Sequence, residues 1–569
     1  MSWQRTRRLE VRTVELARTA DPSIAADFVA LNGAVLTLDA AGHRAGALAA
    51  RDGRVVAVAG DRAIAELIGP DTRVLDLAGS TAIPGFVESH NHPAFFGMTL
   101  AAAVDAGTPP NETIADIVDR LAQAVADSEP GRWIRGYRYD DTLLADNRHP
   151  TRADLDGASP ANPVVLTHVS GHFCVANSLA LREVGITART PDPPGGRIDR
   201  DTGGEPSGVL AEAAAFLVTS RLPGQDADTL ADALLLADAE YARHGITTVH
   251  DTGVGLNGGA EELRAYRRLH ARGALRTRVT GYLFHTLLDG LAEGALDPVA
   301  SGIAGLGDDH FRLTGVKVIA DGSIQGLTGC LAEGYTCAPD EHGMMLLEPD
   351  DLARRIATLD AAGWQVAVHG NGDAAIEAII DAYARLDGGT GQHHRIEHCQ
   401  TVREDQLDRM AANGVLASFF VKHVYYWGDR HRDTFLGPAR AQRISPLASA
   451  RAAGVRFGLH SDTPVTPVPP LEGIWCAVNR ITRDGSVLGA RQSVDVDTAL
   501  RAYTIEAAHL AGEDDRKGSL EVGKLADLAV LSEDPSTVDS ARLKDLTVRA
   551  TVVGGRVTFE QSGEPGGGR

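Results

Sequence analysis

Cysteine is scarce in this 569-residue chain: Cys174, Cys330, Cys337, Cys399 and Cys476 are scattered and odd in number. That pattern excludes a disulfide framework and fits reduced thiols in the cytoplasm. Basic residues are outnumbered, with Lys plus Arg 55 against Asp plus Glu 76 and a formal net charge of −21. The deficit argues against nucleic acid or an anionic membrane as partner. No apolar stretch is long enough to span a bilayer. Met1 to Asp21 carries several arginines but no apolar core, so it does not read as a secretory signal. The acidity itself reads as a solubility feature, and the expected partner is a small-molecule substrate.

What is present is length, glycine and periodic apolar runs. The chain is long enough for more than one domain, and its 62 glycines suit many tight strand–helix turns. Residues 1–25 read as an extension used in a subunit contact, the expected assembly being a homodimer. From Asp27 short β-rich runs follow, with Asn32-Gly33 and Asp52-Gly53 between them as hairpin turns. Leu520 to Leu531 and Val548 to Phe559 are similar. Segments 26–82 and 518–560 are therefore expected to form one composite β-sandwich, with 561–569 a disordered tail.

The middle, 83–517, alternates apolar strands with helical patterns. The run from Thr81 to Glu88 reads as the first strand. Others fall at Gly245–His250, Arg276–Tyr282, Leu313–Ala320, Trp364–His369, Arg395–His398, Val415–Phe420 and Val455–His460. Eight parallel strands close a (β/α)₈ barrel, so the fold class is α/β. The first two strands are too far apart for one crossover. An inserted α/β subdomain, 100–235, is expected there, over the site at the strands' C-terminal ends.

Those ends carry the chemistry. Ser89-His90-Asn91-His92-Pro93 puts two imidazoles on one strand face. The fourth strand bears Lys317 and leads to Asp321, the fifth ends at His369, the sixth at His398, and the eighth runs into Asp462. Singly each has an ordinary structural explanation, such as a helix N-cap for Asp462. Five strands so furnished at one end of one barrel point to a metal site.

The ordered set His90-x-His92, Lys317, His369, His398, Asp462 resembles the amidohydrolase superfamily of metal-dependent hydrolases. The similar subgroup is the amidohydrolase-3, YtcJ-like family, which includes N-substituted formamide deformylation among its activities. Ile83-Pro84-Gly85-Phe86-Val87-Glu88, Gly245 to Asp251, Asp321-Gly322-Ser323 and Gly518 to Leu528 match it too. Cys330 stands where that family usually has a small residue such as Ala. The resemblance implies two divalent ions, zinc first and Mn²⁺, Fe²⁺ or Co²⁺ otherwise. It assigns His90 and His92 to the more buried ion and His369 and His398 to the more exposed one. Lys317 would be carboxylated and bridge both. Asp462 would bind metal and move the proton. Bound metals lower the pKa of water from about 15.7 towards about 7. The implied reaction is hydrolysis of a C–N bond in an amide, formamide or cyclic amide. His172, in Ser170-Gly171-His172, is a second catalytic candidate as oxyanion donor. Trp133, Tyr137, Asp140 and Asp321 are the candidate substrate-binding residues. Two other classes stay open at this point: a deaminase of an aminated ring on the same scaffold, and a non-catalytic barrel.

Overall fold

Glycine 85 divides the first apolar run into two strands that belong to different sheets. In the computed structural model, Thr81–Pro84 lies in a sandwich sheet, and Phe86–Asn91 (β1) opens the barrel. The single strand expected from Thr81 to Glu88 is corrected by this break. Its cause is close packing: a Cβ on Gly85 would stand 2.1 Å from Thr247 Cγ2. The structure describes residues 11–12, 25–101, 104–108, 110–222, 224–289, 307–386 and 391–561. Most of the 1–25 extension and the 561–569 tail therefore lie outside the described residues.

The other barrel strands are Ile246–Val254 (β2), Arg278–Phe284 (β3), Phe311–Ile319 (β4), Gln365–Gly370 (β5), Arg395–His398 (β6), Leu416–Phe419 (β7) and Phe457–Leu459 (β8). They form one eight-stranded sheet in sequential order, with every ladder parallel. No ladder joins β8 to β1. Side chains bridge that seam instead: Ser89 Oγ donates to Leu459 O at 2.9 Å, and Glu88 Oε1 accepts from Ser461 N at 2.6 Å. Strand interiors such as Val316, Val318, Val366 and Val368 are fully buried, as expected where helices cover a parallel sheet.

Between β1 and β2 lies a separate six-stranded sheet, in spatial order Val104–Asp105, Ile134–Tyr139, Val164–His168, Phe173–Ala176, Pro206–Glu212 and Gly196–Arg200. It has its own apolar core around Ile117, Leu121, Leu166 and Val175.

Both chain ends build two further sheets, which share a core of residues such as Phe28, Leu48, Leu528 and Val552. Asp52-Gly53 makes the hairpin its composition suggests, joining antiparallel Ala47–Arg51 and Arg54–Ala59 with positive φ at both turn residues. Asn32-Gly33 does not. Asn32 turns left-handed, φ 64°, and sends the chain from one sheet of the sandwich into the other. Of the run Leu520 to Leu531, only Leu528–Leu531 is strand; the Gly and Lys turns before it stay irregular. No described helix is long and apolar enough to cross a membrane.

One buried ion pair locks the C-terminal segment to the barrel. Arg278, on β3, donates from Nε and Nη2 to Asp527 at 2.7 and 2.9 Å. Removing one member of such a pair typically costs about 3–5 kcal/mol, because the other charge is stranded. Asp527→Ala is therefore expected to lose stability in that range by urea titration. A loss below about 1 kcal/mol would show that the pair does not hold the two parts together.

Candidate metal centre

Strand alternation and the turn after each strand decide which side chains meet at the barrel mouth. His90 sits on the last turn of β1, and His92 follows as the chain bends into the helix Pro93–Leu100. Their Nε2 atoms lie 3.4 and 3.3 Å from the same atom, Asp462 Oδ1. That oxygen is buried and makes no hydrogen bond. A buried carboxylate oxygen without a hydrogen bond carries a heavy desolvation cost. Two imidazole nitrogens and one carboxylate oxygen around a common point are the donor set of a divalent transition metal. The residues fit such an ion.

Asp462 also faces a second group. His398 Nδ1 is 3.9 Å from Asp462 Oδ2 and 3.2 Å from His460 Nε2. The ligand atoms of His398, His460 and Asp462 lie within 4.8 Å of one another. His369 packs against His398, ring centroids 4.3 Å apart, with its Nε2 3.1 Å from Gly322 O and 2.9 Å from Asn371 Nδ2. Lys317 Nζ stands 3.4 Å from His90 Nε2. His398 and Asp462 both hold left-handed backbones, φ 73° and 53°. For residues with a Cβ this is a strained state, and such strain concentrates at functional sites.

The electrostatics suit ligation. Burial pushes His92, His369, His398 and His460 below the usual histidine range. They are neutral at pH 7 and keep a nitrogen lone pair. Burial also brings Lys317 down to about 8. For Asp462 burial, the largest single influence, works upward, but interactions with His90, His92 and His398 together outweigh it and hold the carboxyl well below its usual range.

Two carboxylates near the site carried no sequence signal that was used. Glu397, one residue before His398, places Oε2 2.9 Å from His90 Nδ1 and accepts from Arg395 Nε through Oε1 at 2.7 Å. Glu212 places Oε2 2.8 Å from His172 Nδ1, and its own N–H donates to His172 O at 2.7 Å. The side chain is 2% exposed and the backbone left-handed, φ 52° and ψ −124°. His460 was legible in principle, as the residue directly after β8 and two before Asp462.

A cavity of about 500 Å³ opens over this cluster. His90, His92, Lys317, His369, His398 and Asp462 line it from the barrel, and His172, Glu212 and Tyr137 from the inserted sheet. Phe95, Met98, Phe173, Phe216, Leu256 and Phe284 give it an apolar wall. Trp133, Asp140 and Asp321 do not line it. Trp133 packs on the insertion's second core, and Asp140 pairs with Arg430 at 3.0 Å. Asp321 is fully buried and accepts from Asn371 N, Gly372 N and Cys330 N at 3.0, 2.8 and 2.8 Å. It ties down the loops after β4 and β5.

Below the cluster, burial and then the charge of Arg395 push His250 down to about 3. Unfolded histidine titrates near about 6.5. As pH falls from 6.5 the unfolded chain takes a proton that folded His250 refuses, so stability falls with pH down to that folded value. The slope from one such group is at most about 1.4 kcal/mol per pH unit. His250→Gln is expected to flatten the stability profile between pH 6 and 4 by that order. An unchanged slope would mean that His250 is protonated in the fold.

Comparison with known proteins agrees with this geometry. Residues 73–559 match the Amidohydrolase family. The chain is similar to N-substituted formamide deformylase of Arthrobacter pascens, 32% identical over 94% of this chain and 99% of that protein. It is also similar to YtcJ of Bacillus subtilis (strain 168), 28% identical over 93% of this chain and 99% of the other. Among solved structures, a metal-dependent hydrolase from Pyrococcus horikoshii aligns with a TM-score of 0.72 at 24% identity, covering 90% of this chain and 99% of its own, and shares the fold. With imidazoles and a carboxylate gathered at the mouth of such a barrel, and with matches that run almost from end to end, this chain belongs to the amidohydrolase family.

Proposed function

We propose that this enzyme hydrolyses the C–N bond of an N-substituted formamide or related amide. The observation that carries the reading is the buried, hydrogen-bond-free Asp462 Oδ1 facing His90 and His92 Nε2 beneath an apolar-walled cavity. Two divalent ions would be held by His90, His92, His369, His398, Asp462 and a modified Lys317. Nitrogen and carboxylate donors together suit zinc. When bound, such ions lower the pKa of water from about 15.7 to about 7 and polarise a carbonyl.

The chain's own residues do the rest. The cavity takes the substituent on its apolar wall and brings the carbonyl to the ligand cluster. Asp462, held ionised, accepts a proton from the attacking water and returns it to the leaving nitrogen. His172, braced by Glu212, donates to the oxygen on which charge develops. Burial, the largest single influence, pushes its imidazole down, but the Glu212 carboxylate together with Asp321 and Asp462 outweighs it, so the net shift is upward. The composition supports a cytoplasmic, small-molecule enzyme, and a homodimer is the assembly we expect. The substrate class is tested with a panel of formamides, N-acyl amines and cyclic amides. Release of formate or another carboxylate supports the reading. Release of ammonia from aminated rings, with all amides left intact, would contradict it.

Asp462 has two proposed jobs, and asparagine can do only one of them. An amide oxygen still coordinates, more weakly, but accepts no proton at neutral pH. Asp462→Asn is expected to lower kcat by about 10²–10⁴-fold and to keep much of its metal. His90→Ala is expected to lose metal and activity together. Near-normal kcat in Asp462→Asn with metal retained would reduce Asp462 to a structural role.

Lys317 is fully buried and forms no ion pair among the described residues. Its lowered pKa favours the neutral amine, which adds to CO₂ and releases a proton to leave a carbamate. Carboxylated Lys317 would supply the anionic oxygens that both ions need. Lys317→Ala is expected to be inactive and to be partly rescued by short-chain carboxylic acids. Full activity without such acids would refute the modification.

A further inference from the structure

His460 stands beside the ligand cluster but outside the set that the family resemblance implies. Its ring nitrogens join a buried run of four hydrogen bonds. Ser89 Oγ lies 2.9 Å from Leu459 O and 2.9 Å from Ser418 Oγ. Ser418 Oγ lies 2.7 Å from His460 Nδ1, and His460 Nε2 lies 3.2 Å from His398 Nδ1. Ser89, Ser418 and His460 are all fully buried, and His398 is 2% exposed.

The direction of every bond in this run follows from counting hydrogens. The Leu459 carbonyl can only accept, so the single hydroxyl hydrogen of Ser89 goes to it. Ser89 Oγ then has only a lone pair for Ser418, so Ser418 donates to Ser89. With its one hydrogen spent, Ser418 can only accept from His460, which therefore carries its proton on Nδ1. A neutral His460 has a bare Nε2, which accepts from His398 Nδ1–H. Neutral His398 is left with its lone pair on Nε2.

We propose that Ser89, Ser418 and His460 are positioning residues that hold His398 in its Nδ1–H tautomer, so that Nε2 is the atom it offers to a metal ion. The inference rests on the reading of His398 as a ligand. It makes His460 a support for a ligand rather than a ligand, although His398, His460 and Asp462 come close enough to share an ion. Partners of this kind typically change metal affinity by about 10–100-fold when removed. At His90, Glu397 Oε2 lies 2.9 Å from Nδ1 while Nε2 faces Asp462.

Ser89 is the sharpest test, because it touches neither imidazole. Ser89→Ala frees the Ser418 hydrogen to point at His460 Nδ1. That reverses the run, moves the His460 proton to Nε2 and takes away the acceptor for His398 Nδ1–H. The experiment uses zinc-loaded protein labelled with ¹⁵N-histidine, in which nitrogen shifts distinguish protonated, bare and zinc-bound nitrogens. It is paired with zinc titration against a chromogenic chelator. Wild type is expected to show His398 with Nδ1 protonated and Nε2 on zinc, and His460 with Nδ1 protonated and no zinc. Ser89→Ala and Ser418→Ala are expected to bind their weaker zinc about 10–100-fold less tightly. Ser418→Thr keeps the hydroxyl and is expected to stay closer to wild type. A zinc-bound nitrogen on His460, a bare Nδ1 on His398, or unchanged affinity in both alanine variants would overturn the proposal. The wild-type spectrum decides even if a variant fails to fold. His398→Gln separates the two levels. If it keeps both ions, His398 is no ligand; if it loses one while the tautomers differ from those expected, only the chain is wrong.

Discussion

Asp462 Oδ1 is a buried carboxylate oxygen with no hydrogen bond, facing two imidazole nitrogens at 3.3 and 3.4 Å. An interior of low dielectric does not tolerate such an atom without a compensating charge. Much of the barrel mouth is arranged around that need. Imidazoles come from β1, β5 and β6, a lysine from β4, and Asp462 itself from the turn after β8. Parallel strands put their C-terminal ends on one side, so five elements far apart in sequence deliver their ends to one place.

A second layer keeps those groups in register. Arg395 reaches across the barrel floor, donating to Glu397 Oε1 and to Ser89 O at 2.7 and 3.0 Å. Burial works to raise the Glu397 carboxyl, and the Arg395 charge holds it well below its usual range. Glu397 therefore stays ionised, with Oε2 2.9 Å from His90 Nδ1. Ser418 and His460 perform the matching task for His398 without any charge. The seam between β8 and β1, which lacks a backbone ladder, is crossed by Ser89 and Glu88, neighbours of His90. Closing the barrel and orienting the ligands are thus done by the same short segment. The insertion completes the cavity by adding His172, Glu212, Phe173 and Phe216.

The barrel, and the gathering of the strand-end histidines, lysine and aspartate at its mouth, were legible in the sequence because both follow the strand pattern. Apolar strands alternate with helices, and His90, Lys317, His369, His398 and Asp462 recur at strand ends. Three things were not legible. The break at Gly85 depends on contact with Thr247, more than a hundred residues away, and local apolarity carries no trace of it. Asn32-Gly33 has hairpin composition yet changes sheets, because the turn residues permit a left-handed bend without specifying the next partner strand. Trp133, Asp140 and Asp321 looked suitable for substrate, but packing inside the insertion, an ion pair to Arg430 after β7, and bonds to the β4 and β5 loops take them off the cavity wall. Glu212 and Glu397 are the converse case. Each is an ordinary glutamate in the chain, and only the fold brings each within 3 Å of a histidine.

The central claim is that this barrel mouth is built around two divalent ions. Elemental analysis of protein purified without chelator, joined to anomalous scattering from its crystals, tests it most directly. About two ions per chain are expected, both among His90, His92, Lys317, His369, His398 and Asp462. A protein that hydrolyses its substrate with no ion at this site, or that carries its metal elsewhere, would contradict the account.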